Sequence, residues 1–128
     1  MPSSNAARRV FVIVALLLAG GVGLSVASLA QEQGRHEIVV TAKRYEFSPS
    51  RIEVAANDVV KITLTADDIA HTFTVDEYRI SKRAAPGRPV TFEFRADKAG
   101  SFPFYCNLTI DDGCRGMRGE LVVTPRRP

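Results

Sequence analysis

A chain of 128 residues, 45% hydrophobic and 24% charged, has room for one small domain with its own core and not for two. Its 17 basic and 14 acidic residues give a formal charge of +3, and after the first thirty residues Lys and Arg are scattered among acids rather than clustered, apart from the Arg126-Arg127 tail. That is an ordinary solvated surface, and it excludes the basic stripe of a nucleic-acid binder.

The first thirty residues differ from the rest. Arg8 and Arg9 precede an uncharged run from Val10 to Ala30, rich in Val, Leu, Ile, Ala and Gly. The glycines at 20, 21 and 23, with Ser28 and Ala30 before Gln31, predict a cleaved export signal over residues 1–30. Arg8-Arg9 with Phe11 is weakly similar to a twin-arginine signal. The alternative is an uncleaved anchor, because the run is long enough to cross a bilayer. Both readings put residues 31–128 outside the cytoplasm, in the periplasm or an equivalent space, with membrane contact only through an uncleaved N-terminus. Loss of Arg8 and Arg9 leaves 15 basic residues against 14 acidic ones, a net +1.

From residue 31 onward, apolar and polar residues alternate with period two between turn formers, which predicts an all-β domain. Glu37 to Phe47 is the first strand, and Ser48-Pro49-Ser50 turns the chain into Arg51 to Val54. After Ala56-Asn57-Asp58, the residues Val60, Ile62 and Leu64 alternate with Lys61, Thr63 and Thr65, a half-buried strand with a wet face. Asp67-Asp68 ends it. Strands are then expected at His71 to Val75, Tyr78 to Lys82, Pro89 to Phe94, Ser101 to Cys106 and Gly119 to Thr124. Seven or eight short strands without an amphipathic helix between them predict a two-sheet Greek-key β-sandwich over residues 31–128. Residues 126–128 read as a frayed end.

The segment FPFYCNLTIDDGCRGMRGELVV carries both cysteines and, at Met117, one of the two methionines. A disulfide is the default for two thiols in an oxidising compartment, although Cys106 and Cys114 close only a small loop and would add less stabilisation than a bridge between distant strands. The competing chemistry is metal binding, since thiolate, thioether and imidazole together select copper, with zinc as the thiolate competitor. Met117 alone would read as core filling. His71 is the candidate fourth donor, although a lone histidine at a strand start is ordinarily a surface or hydrogen-bonded residue. His36 lies in a polar lead-in and is not a candidate ligand. Asp111-Asp112-Gly113 reads as turn chemistry, with the two acids as weak ligands at most. Spacing leaves the choice between disulfide and metal open.

The order "AHTF", then "FYC", a short loop, "M" and "GELVV" resembles the cupredoxins, the β-sandwich copper proteins, over nearly all of residues 37–124. It is most similar to the cupredoxin domain of cytochrome c oxidase subunit II and its small exported relatives, whose copper loop runs Cys, three residues, Cys, three residues, His, two residues, Met. The resemblance makes His71, Cys106 and Met117 counterparts of metal ligands. Two positions depart from it. Ile110 stands where the second bridging cysteine belongs and Cys114 where the loop histidine belongs, so neither a binuclear nor a complete blue-copper set is present. What remains is His71, Cys106, Cys114 and Met117 around one copper ion.

These features imply an exported, monomeric, mononuclear copper protein that passes single electrons to a redox protein. One alternative is a Cu(I) handling protein exchanging metal with a copper donor or acceptor. Another is a metal-free, disulfide-bonded sandwich acting as a binding module. Enzymatic activity is not expected, because no Ser-His-Asp set, carboxylate pair in a strand-end context or phosphate loop stands out and two histidines supply a catalytic metal poorly.

Overall fold

The computed structural model describes residues 33–126. The expected signal or anchor lies outside them, and among the described residues no helix is long and apolar enough to cross a membrane. The described residues form nine strands in sequence: β1 (Arg35–Lys43), β2 (Glu46–Ser48), β3 (Arg51–Ala55), β4 (Val59–Ala66), β5 (His71–Val75), β6 (Ile80–Ala84), β7 (Val90–Arg95), β8 (Gly100–Tyr105) and β9 (Arg118–Thr124). They form a four-stranded sheet ordered β2-β1-β4-β7 and a five-stranded sheet ordered β3-β9-β8-β5-β6.

The count exceeds seven or eight because the stretch to Phe47 is two strands. The chain doubles back at Arg44-Tyr45, and β2 pairs antiparallel with the end of β1. Tyr78 belongs to a 3₁₀ turn, Asp76–Tyr78, so β6 begins only at Ile80. One short helix, α1 (Asp112–Gly116), sits between β8 and β9 in place of a simple turn.

Alternation places the core. In β4, Val60, Ile62, Leu64 and Ala66 are buried while their neighbours are half-exposed. They face Phe73, Val75, Phe104, Leu121 and Val123 of the other sheet within one cluster. Gly119 pairs with Phe104 across β8 and β9, and a Cβ at position 119 would overlap the Phe104 ring. Glycine is therefore the residue that lets this ring lie flat on its neighbouring strand.

Two pairings are not visible in the alternation. β1 runs parallel to β4, and β3 runs parallel to β9. Their shared end is closed by Asp58, a buried residue after the β3–β4 turn. Its carboxylate accepts from the Gly34 and Ala55 amides, both at 3.0 Å, from His36 Nε2 at 2.7 Å, and from the Arg126 guanidinium. His36 is thus an anchored residue of β1 and not a lead-in. Arg126, expected to fray, also donates to the Ala56 carbonyl at 3.1 Å.

Burial opposes ionisation of Asp58, but the bonds from His36, Ala55 and Gly34 and the nearby Arg126 charge outweigh it and hold the carboxyl below its ordinary value of 3.8. A depressed folded value contributes stability that is complete above the unfolded pKa and is lost as pH falls through the folded one. Asp58→Ala should cost about 1–3 kcal/mol at pH 7, because it removes the shared acceptor of four donors, two of them backbone amides. Urea unfolding at pH 7 and pH 3 should show a smaller acid loss for the variant than for the parent. Equal losses would mean that Asp58 carries none of the acid sensitivity.

Candidate metal centre

Four segments meet at the opposite end of the sandwich: the β1–β2 turn, the β4–β5 loop with the start of β5, the end of β8, and the loop from Cys106 to Met117. β5 lies between β6 and β8 in its sheet, and all five of its residues are buried. This burial takes His71 to 0% exposure. The imidazole Nε2 is 2.9 Å from Asp68 Oδ1, while the buried Nδ1 has no hydrogen-bond partner. Asp68 also accepts from the Arg44 and Ile69 amides, each at 2.7 Å. The Arg44 bond chiefly, opposed by partial desolvation and aided by His71 and Ile69, holds this carboxyl well below the usual carboxylate range.

Cys106 follows β8 and is 1% exposed. The amide of Thr72, next to His71, donates to its Sγ at 3.4 Å. Asn107 ties the same two segments together: its amide donates to Thr72 Oγ1 at 2.7 Å, and that hydroxyl donates to Asn107 Oδ1 at 2.8 Å. Asp111 caps α1 by accepting from the Gly113 amide at 2.9 Å, so this acid does serve turn chemistry. The helix brings Cys114 back toward Cys106, and Leu108 donates its amide to Cys114 Sγ at 3.2 Å. Met117, fully buried, donates its amide to the Cys114 carbonyl at 3.1 Å, and its own carbonyl accepts from the Cys106 amide at 3.3 Å. Ile110, at the position of the missing second cysteine, is 89% exposed. It contributes nothing to the cluster.

The loop thus returns on itself, and Cys106 and Cys114 are joined in a disulfide with their Cα atoms 5.1 Å apart. The four residues singled out in the sequence are brought to one end of the fold, but in this state the two sulfurs are bonded to each other and neither is a thiolate. Among the described residues no three of His, Cys, Asp and Glu form a metal-holding group. His71 by itself fits a metal. Its Nε2 faces a carboxylate oxygen at 2.9 Å and its Nδ1 is buried without a partner, the arrangement found where outer-shell carboxylates orient ligating histidines. The full donor set fits copper only when the disulfide is reduced.

A family model described as a cupredoxin-like domain matches residues 13–123. This chain belongs to the cupredoxin-like family. Cytochrome c oxidase subunit 2 of Thermus thermophilus is 26% identical over 89 residues, 70% of this chain and 66% of that protein. The subunit 2 of Thermostichus vulcanus is 34% identical over 64 residues, half of this chain and 19% of that protein. The cupredoxin-like chain therefore spans between about a fifth and two thirds of the length of these relatives. The solved periplasmic domain of cytochrome oxidase subunit II, CoxB, of Bradyrhizobium japonicum superposes with a TM-score of 0.62 at 19% identity, covering 70% of this chain and 83% of that one. This is a likeness of fold.

Sequence reasoning misses Asp68, Arg44 and Tyr45. Asp68 reads as the end of a strand, although its place three residues before His71 is a legible signal. Tyr45 covers α1 so closely that a Cβ at Gly113 would overlap its ring. No local pattern reveals that contact, because it joins segments far apart in the chain.

Proposed function

We propose that this cupredoxin-like domain binds one copper ion in its dithiol form, through His71 Nδ1, Cys106, Cys114 and Met117, and serves single-electron transfer outside the cytoplasm. The observation that carries the reading is the buried, unpartnered Nδ1 of His71, whose other nitrogen is held by a carboxylate. Copper held there would supply a one-electron Cu(II)/Cu(I) couple. The chain's own part is rigidity. In the disulfide form the Thr72 and Leu108 amides already donate to the two sulfurs, so donors stand beside both when the bridge is reduced, and Met117 is immobilised by full burial. Amide bonds to a thiolate also stabilise its charged form. The domain is not itself an enzyme in this reading. Its partners are a redox protein and a copper donor.

A second reading is favoured by the disulfide: a metal-free sandwich whose Cys106–Cys114 bridge pins the loop and presents Ile110 and Tyr45 to a partner. Copper uptake separates the two. Protein reduced and freed of reductant without oxygen should bind one Cu(I) in competition with a chromophoric chelator, whereas the disulfide form should not. His71→Ala should weaken binding by more than the about 10–100-fold carried by outer-shell partners of metal ligands. No uptake by the dithiol form would leave the metal-free reading standing.

A further inference from the structure

Resting on the copper reading of His71, we infer that Asp68 is a positioning residue that holds the imidazole as the Nε2–H tautomer and so keeps the Nδ1 lone pair available as a donor. A neutral imidazole has two tautomers, and their surroundings here are unequal. Were the proton on Nδ1, a buried N–H would have no acceptor, and the Nε2 lone pair would face a carboxylate oxygen at 2.9 Å. With the proton on Nε2, both faults disappear, since a carboxylate is acceptor-only and Nδ1 no longer needs an acceptor.

Asp68 can do this only if it cannot swing away, and it is held from two sides. Oδ1 accepts from its neighbour Ile69 while Oδ2 accepts from Arg44, which lies 24 residues earlier at the β1–β2 turn. The next residue of that turn, Tyr45, packs its ring over Gly113 of α1, beside Cys114. The one turn therefore braces the histidine through Asp68 and the cysteine helix through Tyr45. The carboxylate side chain is still 27% exposed, so it is reachable by substitution without opening the core.

The inference is tested with Asp68→Asn, which keeps an acceptor oxygen at the same place, and Asp68→Ala, which does not. The first readout needs no copper: long-range ¹H–¹⁵N correlation spectra of the metal-free protein report which ring nitrogen of His71 carries the proton. We expect Nε2–H in the parent and in Asp68→Asn, and loss of that single tautomer in Asp68→Ala. The second readout is Cu(I) affinity of the dithiol form, with Asp68→Ala weaker by about 10–100-fold and Asp68→Asn restoring most of it. An Nδ1–H tautomer in the parent overturns the inference. So does an Asp68→Ala variant with unchanged tautomer and affinity. If the parent takes up no copper, the functional reading fails, and a tautomer that still depends on Asp68 upholds the positioning role.

Discussion

Phe73→Ala is expected to destabilise the domain by about 3–5 kcal/mol, the range for removing a large buried aromatic side chain. Phe73 is fully buried in β5 of the five-stranded sheet. Its ring stacks on Phe104 of the same sheet at 4.7 Å between centroids and reaches Phe47 at 6.2 Å and Phe92 at 5.7 Å in the four-stranded sheet. Phe47 and Phe104 in turn meet edge to face at 5.3 Å. Removing the central ring leaves a cavity that two pleated sheets cannot close without breaking their ladders, so the loss includes the cavity as well as transfer from water. In a domain of this size such a change lowers Tm by more than about 12 °C. Urea unfolding should show a reduced midpoint at unchanged slope. A loss below about 1 kcal/mol would mean that this ring does not bridge the sheets.

Cys114→His is expected to have two large and opposite effects. The disulfide closes a loop with a sequence separation of 8, and the chain-entropy relation gives about 2.5 kcal/mol for a loop of that size. The variant loses this, and the larger imidazole at a site 1% exposed adds some overpacking cost. The apoprotein should therefore be less stable than the oxidised parent by at least about 2 kcal/mol. With Cu(II), however, the variant offers the imidazole of His71, a second imidazole at position 114, the Cys106 thiolate and Met117. That is the two-imidazole, one-thiolate set with a weak thioether that characterises blue-copper sites. Intense visible thiolate-to-copper absorption should appear in the variant and be absent from the disulfide-bonded parent. Chemical denaturation and copper titration followed by absorption check the two halves separately. A folded variant that stays colourless with Cu(II) would refute the copper reading of His71.

Period-two alternation is enough to read an all-β sandwich, because burial of one strand face leaves the same mark wherever the strand ends up. Val60, Ile62 and Leu64, and likewise Ile52 and Val54, point inward as their spacing demands. Alternation has the same period in parallel and antiparallel ladders, so it is silent on the parallel pairing of β1 with β4 and β3 with β9. It also misses the doubling back at Arg44-Tyr45. The three-residue return strand there is too short to show a period.

At the candidate site, residue types and spacing alone determined the inventory: His71, Cys106, Cys114 and Met117 make one soft donor set, with a disulfide as the alternative for the two thiols. Only the tertiary structure decided how they are used. It buried His71 completely, which no strand-start position requires, because β5 is flanked on both sides. It turned Asp68 from a strand end into a partner of the imidazole by fixing it with an amide from a distant turn. It closed Cys106 on Cys114 because the Asp111-capped helix reverses the loop. It also made Asp58 the fastening for His36 and Arg126. Each of these is a contact between segments that are remote in sequence or set by one loop's path. Local propensity and periodicity act over a few residues and cannot specify which carboxylate faces which ring.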